Sequence, residues 1–340
     1  MSQLTSTPGL PGRERQVAQL IRSSLPDDGW ITQTDSLGNV IAHLPGKGSK
    51  VLLVVHMDEV GLIVRRITED GLLLVERLGG ISLRALPGAR LELWTKKGVL
   101  PATVGLLPAH LDDNQILHLS DIYIDIGAKS RAEVEKMGVR VGDGLTWSSP
   151  LEQRDAGFVV GKALDDRLGC LVLLSMAGRL RSEKIPIDLY MAFVVQEETG
   201  LRGGVSVVNM FAPDIVVGVD GTLAFDTPDL QGQQSDIRLG EGPTIKLMDA
   251  IRGKTGSYLP DLELVERFRA LAEEASIPLQ AEIVTGLSTA ITPLPFAAQG
   301  VRTAALSFPL RYHHSPIETA HVNDFQWLVD LLISFVNLPA

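Results

Sequence analysis

The stretch LYMAFVVQEETGLRGG, residues 189–204, decides how the chain is read. An apolar run reads as a core strand, and it closes on two adjacent glutamates, Glu197 and Glu198. Consecutive side chains on a strand point to opposite faces. Two neighbouring carboxylates therefore converge on one site only if the strand has ended and the backbone is turning. Gly200, Gly203 and Gly204 permit such a turn. A strand end carrying two acids can hold a metal with one and move a proton with the other. By itself the doublet fits a solvated acidic loop equally well.

The other strand ends separate the two readings. VLLVV runs into His56, followed by Asp58; DIVVGV runs into Asp220; AALSFPLRY runs into His313 and His314. KALDDRLG carries Asp165 and Asp166 at an apparent helix start. Ligands of open α/β sheets bind beyond the carboxyl ends of the strands. Four such ends finishing in His, Asp or Glu point to a shared metal site.

Strands and helices alternate around these ends. Helices are expected at 12–25, 166–180, 261–276 and 322–336, and strands at 39–44, 50–55, 188–195, 215–219, 280–284 and 303–308. This alternation predicts an α/β/α sandwich with a mostly parallel central sheet. Between 68 and 155 the texture changes to short strands and Gly/Pro turns, with one short helix at 131–137. That segment reads as an inserted β-rich module, leaving 1–67 and 156–340 as the main domain. The turn PGKGS at 45–49 lacks phosphate-loop spacing and reads as a hairpin turn between the strands flanking it.

Composition limits the partners. The chain has 340 residues, 45% of them hydrophobic, a net charge of -10 and no basic stripe, so nucleic acid and anionic membranes are not expected partners. No apolar run reaches membrane-spanning length. The first residues lack the apolar core of a secretory signal, and the expectation is a cytoplasmic protein. The single cysteine, Cys170, lies on an apparent helix and reads as a core residue.

Charge counting proposes a ligand set. Three carboxylates, two imidazoles and a bridging hydroxide satisfy two dications if one carboxylate bridges. Asp165 is assigned as the bridge, with His56 and Asp220 on one ion and Glu198 and His314 on the other. Imidazole and carboxylate ligands suit zinc, cobalt or manganese better than calcium. Glu197 is left as general base. Asp58, two residues from His56, is placed to orient its ring. His313 is read as pointing away, because only one of two neighbouring histidines is expected to face inward. Asp166 and Arg167 are read as a structural pair, and His43, His110, His118 and His321 as structural.

The motifs VVHMDEVGLIV, GKALDDRLG, VVQEETGLRGG, VGVDGT and RYHHSPIE together resemble the tetrahedral and glutamyl aminopeptidases, metallopeptidase family forty-two of clan MH. Weaker matches, DSLGNVIA and IDIGAKSRAEVEKMGVRVGD among them, extend the resemblance over nearly the whole chain. It implies a dinuclear zinc or cobalt aminopeptidase acting on short peptides, with the ligands, base and orienting residue assigned above. It also implies a β-barrel or PDZ-like insert used in dimerisation and assembly, and a homo-oligomer, commonly a dodecamer built from dimers. The chain departs from the family's Gly-Thr-Asp-Ala pattern at Ser288-Thr289-Ala290-Ile291, where Ala290 replaces the acid. Two other readings of the site are a metal-dependent deacylase or carboxypeptidase on N-acyl amino acids, and a non-catalytic assembly protein. A glycosidase using the doublet is disfavoured, since its two carboxyls must flank a sugar from opposite sides.

Overall fold

The computed structural model describes residues 1–111, 117–180, 185–251 and 257–339. Helices α1 (Ser2–Ser6) and α2 (Arg15–Ser24) lead into strands β1 (Ile31–Thr34), β2 (Val40–Leu44) and β3 (Lys50–His56). The chain then builds β4 (Gly61–Ile67), β5 (Leu73–Leu78), β6 (Arg90–Thr95), β7 (Gly98–Val104), β8 (Tyr123–Asp125), helix α3 (Arg131–Met137) and β9 (Gly144–Trp147). It returns through β10 (Glu152–Gln153) and β11 (Phe158–Gly161) to α4 (Leu164–Arg179), β12 (Asp188–Val194), α5 (Gly203–Phe211) and β13 (Ile215–Leu223). Strand β14 (Thr244–Ala250), α6 (Leu262–Glu274), β15 (Gln280–Thr285), β16 (Arg302–Leu310), β17 (Glu318–His321) and α7 (Val322–Val336) follow.

Among the described residues, eight strands form a central sheet in the order β1-β2-β12-β3-β13-β16-β14-β15. Its middle, β12-β3-β13-β16, is parallel throughout. The strand residues alternate between two cores, as the pleat requires. Val51, Leu53 and Val55 of β3 pack with Ile21, Leu168, Phe268 and Leu332 from α2, α4, α6 and α7. Leu52 and Val54 face the opposite way, toward Val207 and Val208 of α5. Because both faces of β3 are covered, its sequence is a continuous apolar run rather than an alternating one. The result is the expected α/β/α sandwich.

The inserted module is a closed six-stranded barrel, β4-β5-β8-β7-β6-β9, with its own core. Its first strand begins at Gly61, ahead of residue 68, because β4 follows β3 after only four residues. Its last strand ends at Trp147; β10 pairs instead with β11, and β11 with β17.

The 45–49 turn is not a hairpin. Strand β12 lies between β2 and β3, antiparallel to the first and parallel to the second. The connection crosses the start of β12, where a Cβ on Gly46 or Gly48 would collide with the main chain of Ile187 and Pro186. These glycines serve a close backbone crossing. No helix of the described residues is long and apolar enough to cross a membrane.

Candidate active site

Adjacent parallel strands bring their carboxyl ends side by side. His56 is the last residue of β3, and Val194 of β12 is its register partner. Asp220 lies near the end of β13, His313 and His314 follow β16, and Asp165 opens α4 from the side. Gln196, just past β12, has φ 57°, in the left-handed region. This turn lets both Glu197 and Glu198 approach the site. His314 also has positive φ, 59°. Such conformations cost roughly 1–3 kcal/mol each for non-glycine residues and concentrate at functional sites.

Asp165 sits at the centre. Its Oδ1 is 3.2 Å from His56 Nε2 and its Oδ2 is 3.2 Å from His314 Nε2. One carboxylate thus faces both histidines with different oxygens. His56 Nε2 is also 3.5 Å from Asp220 Oδ1, and His314 Nε2 is 3.2 Å from Glu198 Oε1. The five side chains assigned as ligands therefore form one cluster around Asp165. Among the described residues, three sets drawn from this cluster and its neighbours have ligand atoms within 4.8 Å of one another: Asp165, His313 and His314; His56, Glu197 and Glu198; and His56, Asp166 and Asp220.

The electrostatics suit a bound cation. Burial opposes charge on His56, but Asp220, Asp165 and Asp58 outweigh it and hold the ring's proton affinity well above normal. Burial likewise opposes charge on His314, and Glu198 and Asp165 reverse it. Glu198 Oε1 and His313 Nε2 are buried without a hydrogen-bond partner, although His314 Nε2 lies 3.2 Å from the first and Asp165 Oδ2 2.7 Å from the second. Buried polar atoms normally find partners. Orphaned carboxylate and imidazole atoms beside His314 and Asp165 fit metal ligation, and this donor set fits a borderline transition metal.

Glu197 is buried beside these groups. Burial pushes its carboxyl well above the usual range; His56 pulls it down, while Asp220, Glu198 and Asp58 push it up. A carboxyl buried against the ligand cluster is placed to accept a proton and return it.

Asp58 reaches His56, but not mainly as expected. His56 Nδ1 lies 3.2 Å from the Asp58 main-chain oxygen and 3.5 Å from its Oδ1. The carboxylate's principal work is on the doublet: its two oxygens accept the backbone N–H groups of Glu197 and Glu198, each at 3.0 Å.

Two expectations need correction. His313 points inward, with Nε2 2.7 Å from Asp165 Oδ2, and its ring stacks on His314 at 4.1 Å. The positive φ of Tyr312 and His314 turns the chain so that neighbouring rings share one side. Asp166 and Arg167 do not pair with each other. Asp166 accepts the N–H groups of His56 and Gly169, whereas Arg167 donates to the carbonyls of Leu4, Thr7 and Met57 and to Glu59. Ala290 is buried in an apolar cluster, and its N–H donates to Asp220 Oδ2 at 3.2 Å, so position 290 touches the site through its backbone.

Two buried acids at the candidate site escaped the sequence reading. Glu318 accepts the N–H groups of Asp165 and His314, at 3.2 and 2.8 Å, and burial with the Asp165 charge pushes its carboxyl up to about 8. Its signal was its position four residues after His314. Glu59 is buried between Lys162 at 2.7 Å and Arg167 at 3.4 Å, joining the site's floor to the N-terminal segment through the Gly9 N–H. Its place directly after Asp58 was visible, but its charged partners, Lys162 and Arg167, are more than a hundred residues away.

A family model described as M42 glutamyl aminopeptidase matches residues 38–331. A lysyl aminopeptidase from Pyrococcus furiosus is 32% identical over 95% of this chain and 92% of its own length. Among solved structures, an aminopeptidase from the archaeon Desulfurococcus kamchatkensis superposes with a TM-score of 0.94 at 32% identity, covering 99% of this chain and 93% of the other. The Pyrococcus horikoshii TET1 peptidase, described as assembling into a tetrahedron or a large octahedral shell, superposes at 0.88 with 30% identity, covering 98% and 97%.

Proposed function

We propose that this chain, which belongs to the M42 glutamyl aminopeptidase family, releases N-terminal residues from short peptides with two divalent ions, zinc or cobalt, manganese being a third candidate. One ion would be held by His56, Asp220 and Asp165, and the other by Asp165, Glu198 and His314. The observation carrying this reading is the division of Asp165 between the two histidines, one oxygen facing each. Bound there, the ions would polarise the scissile carbonyl and make water easier to deprotonate.

The chain's own residues then divide the work. Glu197, outside this ligand set, takes the proton of the attacking water and passes it to the leaving amine. Asp58 fixes the backbone of both glutamates, so Glu197 stays aimed while Glu198 binds. Glu318 fixes the amides of Asp165 and His314 from below. The fold is read as working in the cytoplasm as a homo-oligomer, a dodecamer built from dimers through the barrel; the TET1 relative, described as assembling into a tetrahedron or a large octahedral shell, supports the homo-oligomer.

Glu197→Gln tests the assignment. Metal content should stay at the wild-type level while turnover of leucyl, glutamyl and lysyl anilides falls by about 10²–10⁴-fold. Near-full turnover with metal bound would sink the mechanism. Faster cleavage of N-acetylated than of free amino-terminal substrates would instead favour the deacylase reading.

A further inference from the structure

We propose that the inserted barrel is itself part of the metal site: its Gly79–Gly80 corner positions His314 and Glu198, and so sets one of the two ions and not the other. This rests on the two-ion reading above. The corner follows β5, and Arg77 of that strand braces it by donating to the Ile81 carbonyl at 3.2 Å.

The two histidines are held in the same way by different parts of the chain. His56 presents Nε2 to Asp165 and Asp220, while its Nδ1 lies 3.2 Å from the Asp58 main-chain oxygen. His314 presents Nε2 to Asp165 and Glu198, while its Nδ1 lies 3.2 Å from the Gly80 main-chain oxygen. A carbonyl only accepts. With an ion bound, each ring would keep its proton on Nδ1, donated to that carbonyl, and turn the Nε2 lone pair to the centre, as a ligating histidine must. Asp58 is two residues from His56, at the end of the same central strand. Gly80 is 234 residues from His314 and lies on the barrel.

Any residue could offer a carbonyl; space selects glycine. A Cβ on Gly80 would lie 3.0 Å from His314 Nδ1 and 3.4 Å from its Cε1. A Cβ on Gly79 would lie 3.2 Å from Glu198 Oε2 and 2.6 Å from Val60 Cγ1, and its φ of 90° is one that other residues rarely adopt. Both glycines thus crowd the ligands of the same ion. No atom of His56 or Asp220 is among the nearest neighbours of either glycine. A module read as an assembly device therefore also holds half of the active site, and displacement of the barrel would reach one ion first.

The test is a calorimetric zinc titration of chelator-stripped full-length protein. Wild type should show two sites. In Gly80→Ala one of them should weaken by about 10–100-fold, the typical cost of losing a partner that orients a metal ligand, while the other stays at wild-type affinity. Excess zinc should restore turnover. Two unchanged sites, or two sites weakened equally, would overturn the proposal. A wild type that takes up fewer than two ions would instead overturn the two-ion reading. If Gly80→Ala does not fold, Arg77→Met loosens the corner without adding bulk beside His314. It should weaken the same single site, and unchanged binding in that variant would equally refute the role given to the barrel.

Discussion

Replacing Asp58 by asparagine tests how the glutamate doublet is held. Asp58 is fully buried, and each of its carboxylate oxygens accepts one backbone N–H, from Glu197 and from Glu198, at 3.0 Å. Hydrogen bonds to a charged group contribute about 1.5–3 kcal/mol each. Asparagine has the same shape but only one oxygen, so one amide would face an NH2 group, donor against donor. The loss of one charged bond, the weakening of the other and this mismatch together come to about 2–4 kcal/mol. If that misplacement is felt in the transition state, kcat/KM falls by about 30- to 1000-fold, at 1.36 kcal/mol per decade. The Asp58 main-chain oxygen, which meets His56 Nδ1, is untouched by the change. At saturating zinc, metal content should therefore hold while kcat falls. The assay pairs steady-state hydrolysis of aminoacyl anilides with metal analysis of the same sample. Activity within about threefold of wild type would refute the argument. So would loss of metal with normal turnover at saturating zinc, which would return Asp58 to the ring-orienting role expected from its spacing.

Three further outcomes follow from the same structure. Glu59→Gln leaves Lys162 and Arg167 buried around a neutral group; breaking a buried ion network in this way costs about 3–5 kcal/mol, readable as a lower denaturant midpoint with an unchanged slope. Burial works against the charge of Asp226, but two Arg311 hydrogen bonds at 2.7 Å outweigh it and hold the carboxyl below its usual range. A lowered folded-state value stabilises above the unfolded value and is lost as pH falls through the folded one. Asp226→Asn should therefore be less stable than wild type near pH 7, and the gap should close below about pH 4; thermal melts across that interval would show it, and a constant gap would contradict it. Stripping metal leaves Asp165, Asp220, Glu197 and Glu198 buried together. Each ion at a hundredfold excess over its dissociation constant adds about 2.7 kcal/mol, so chelation should lower Tm and zinc should restore it, and an identical Tm in both states would speak against ligation here.

Much of this protein was legible without coordinates. The sandwich followed from apolar runs alternating with helical periods, and α3 and α7 fall where their spacing put them. The site was legible because parallel strands deliver their carboxyl ends to one edge, so acids and histidines that close separate runs must meet there. The pairings at a distance were not legible. The 45–49 turn looks locally like a hairpin because PGKGS has turn chemistry, and nothing within it reveals that β12, from a distant part of the chain, slides between its flanking strands. His313 looks like a bystander because alternation predicts opposite faces, and only the positive φ values on either side of it undo that rule.

The sequence by itself determined the layers, the strand ends and the chemical identities of the groups around the candidate metal site, since these depend on periodicity and on which residue closes each run. Tertiary structure alone decided who holds whom. Asp58 turned to the amides of the doublet, Glu318 went beneath Asp165, and a carbonyl from the barrel reached His314. Those contacts are made by backbone groups, and every residue but proline carries the same N–H and C=O. The side-chain code cannot specify them; only the path of the chain in space brings a particular amide or carbonyl within reach.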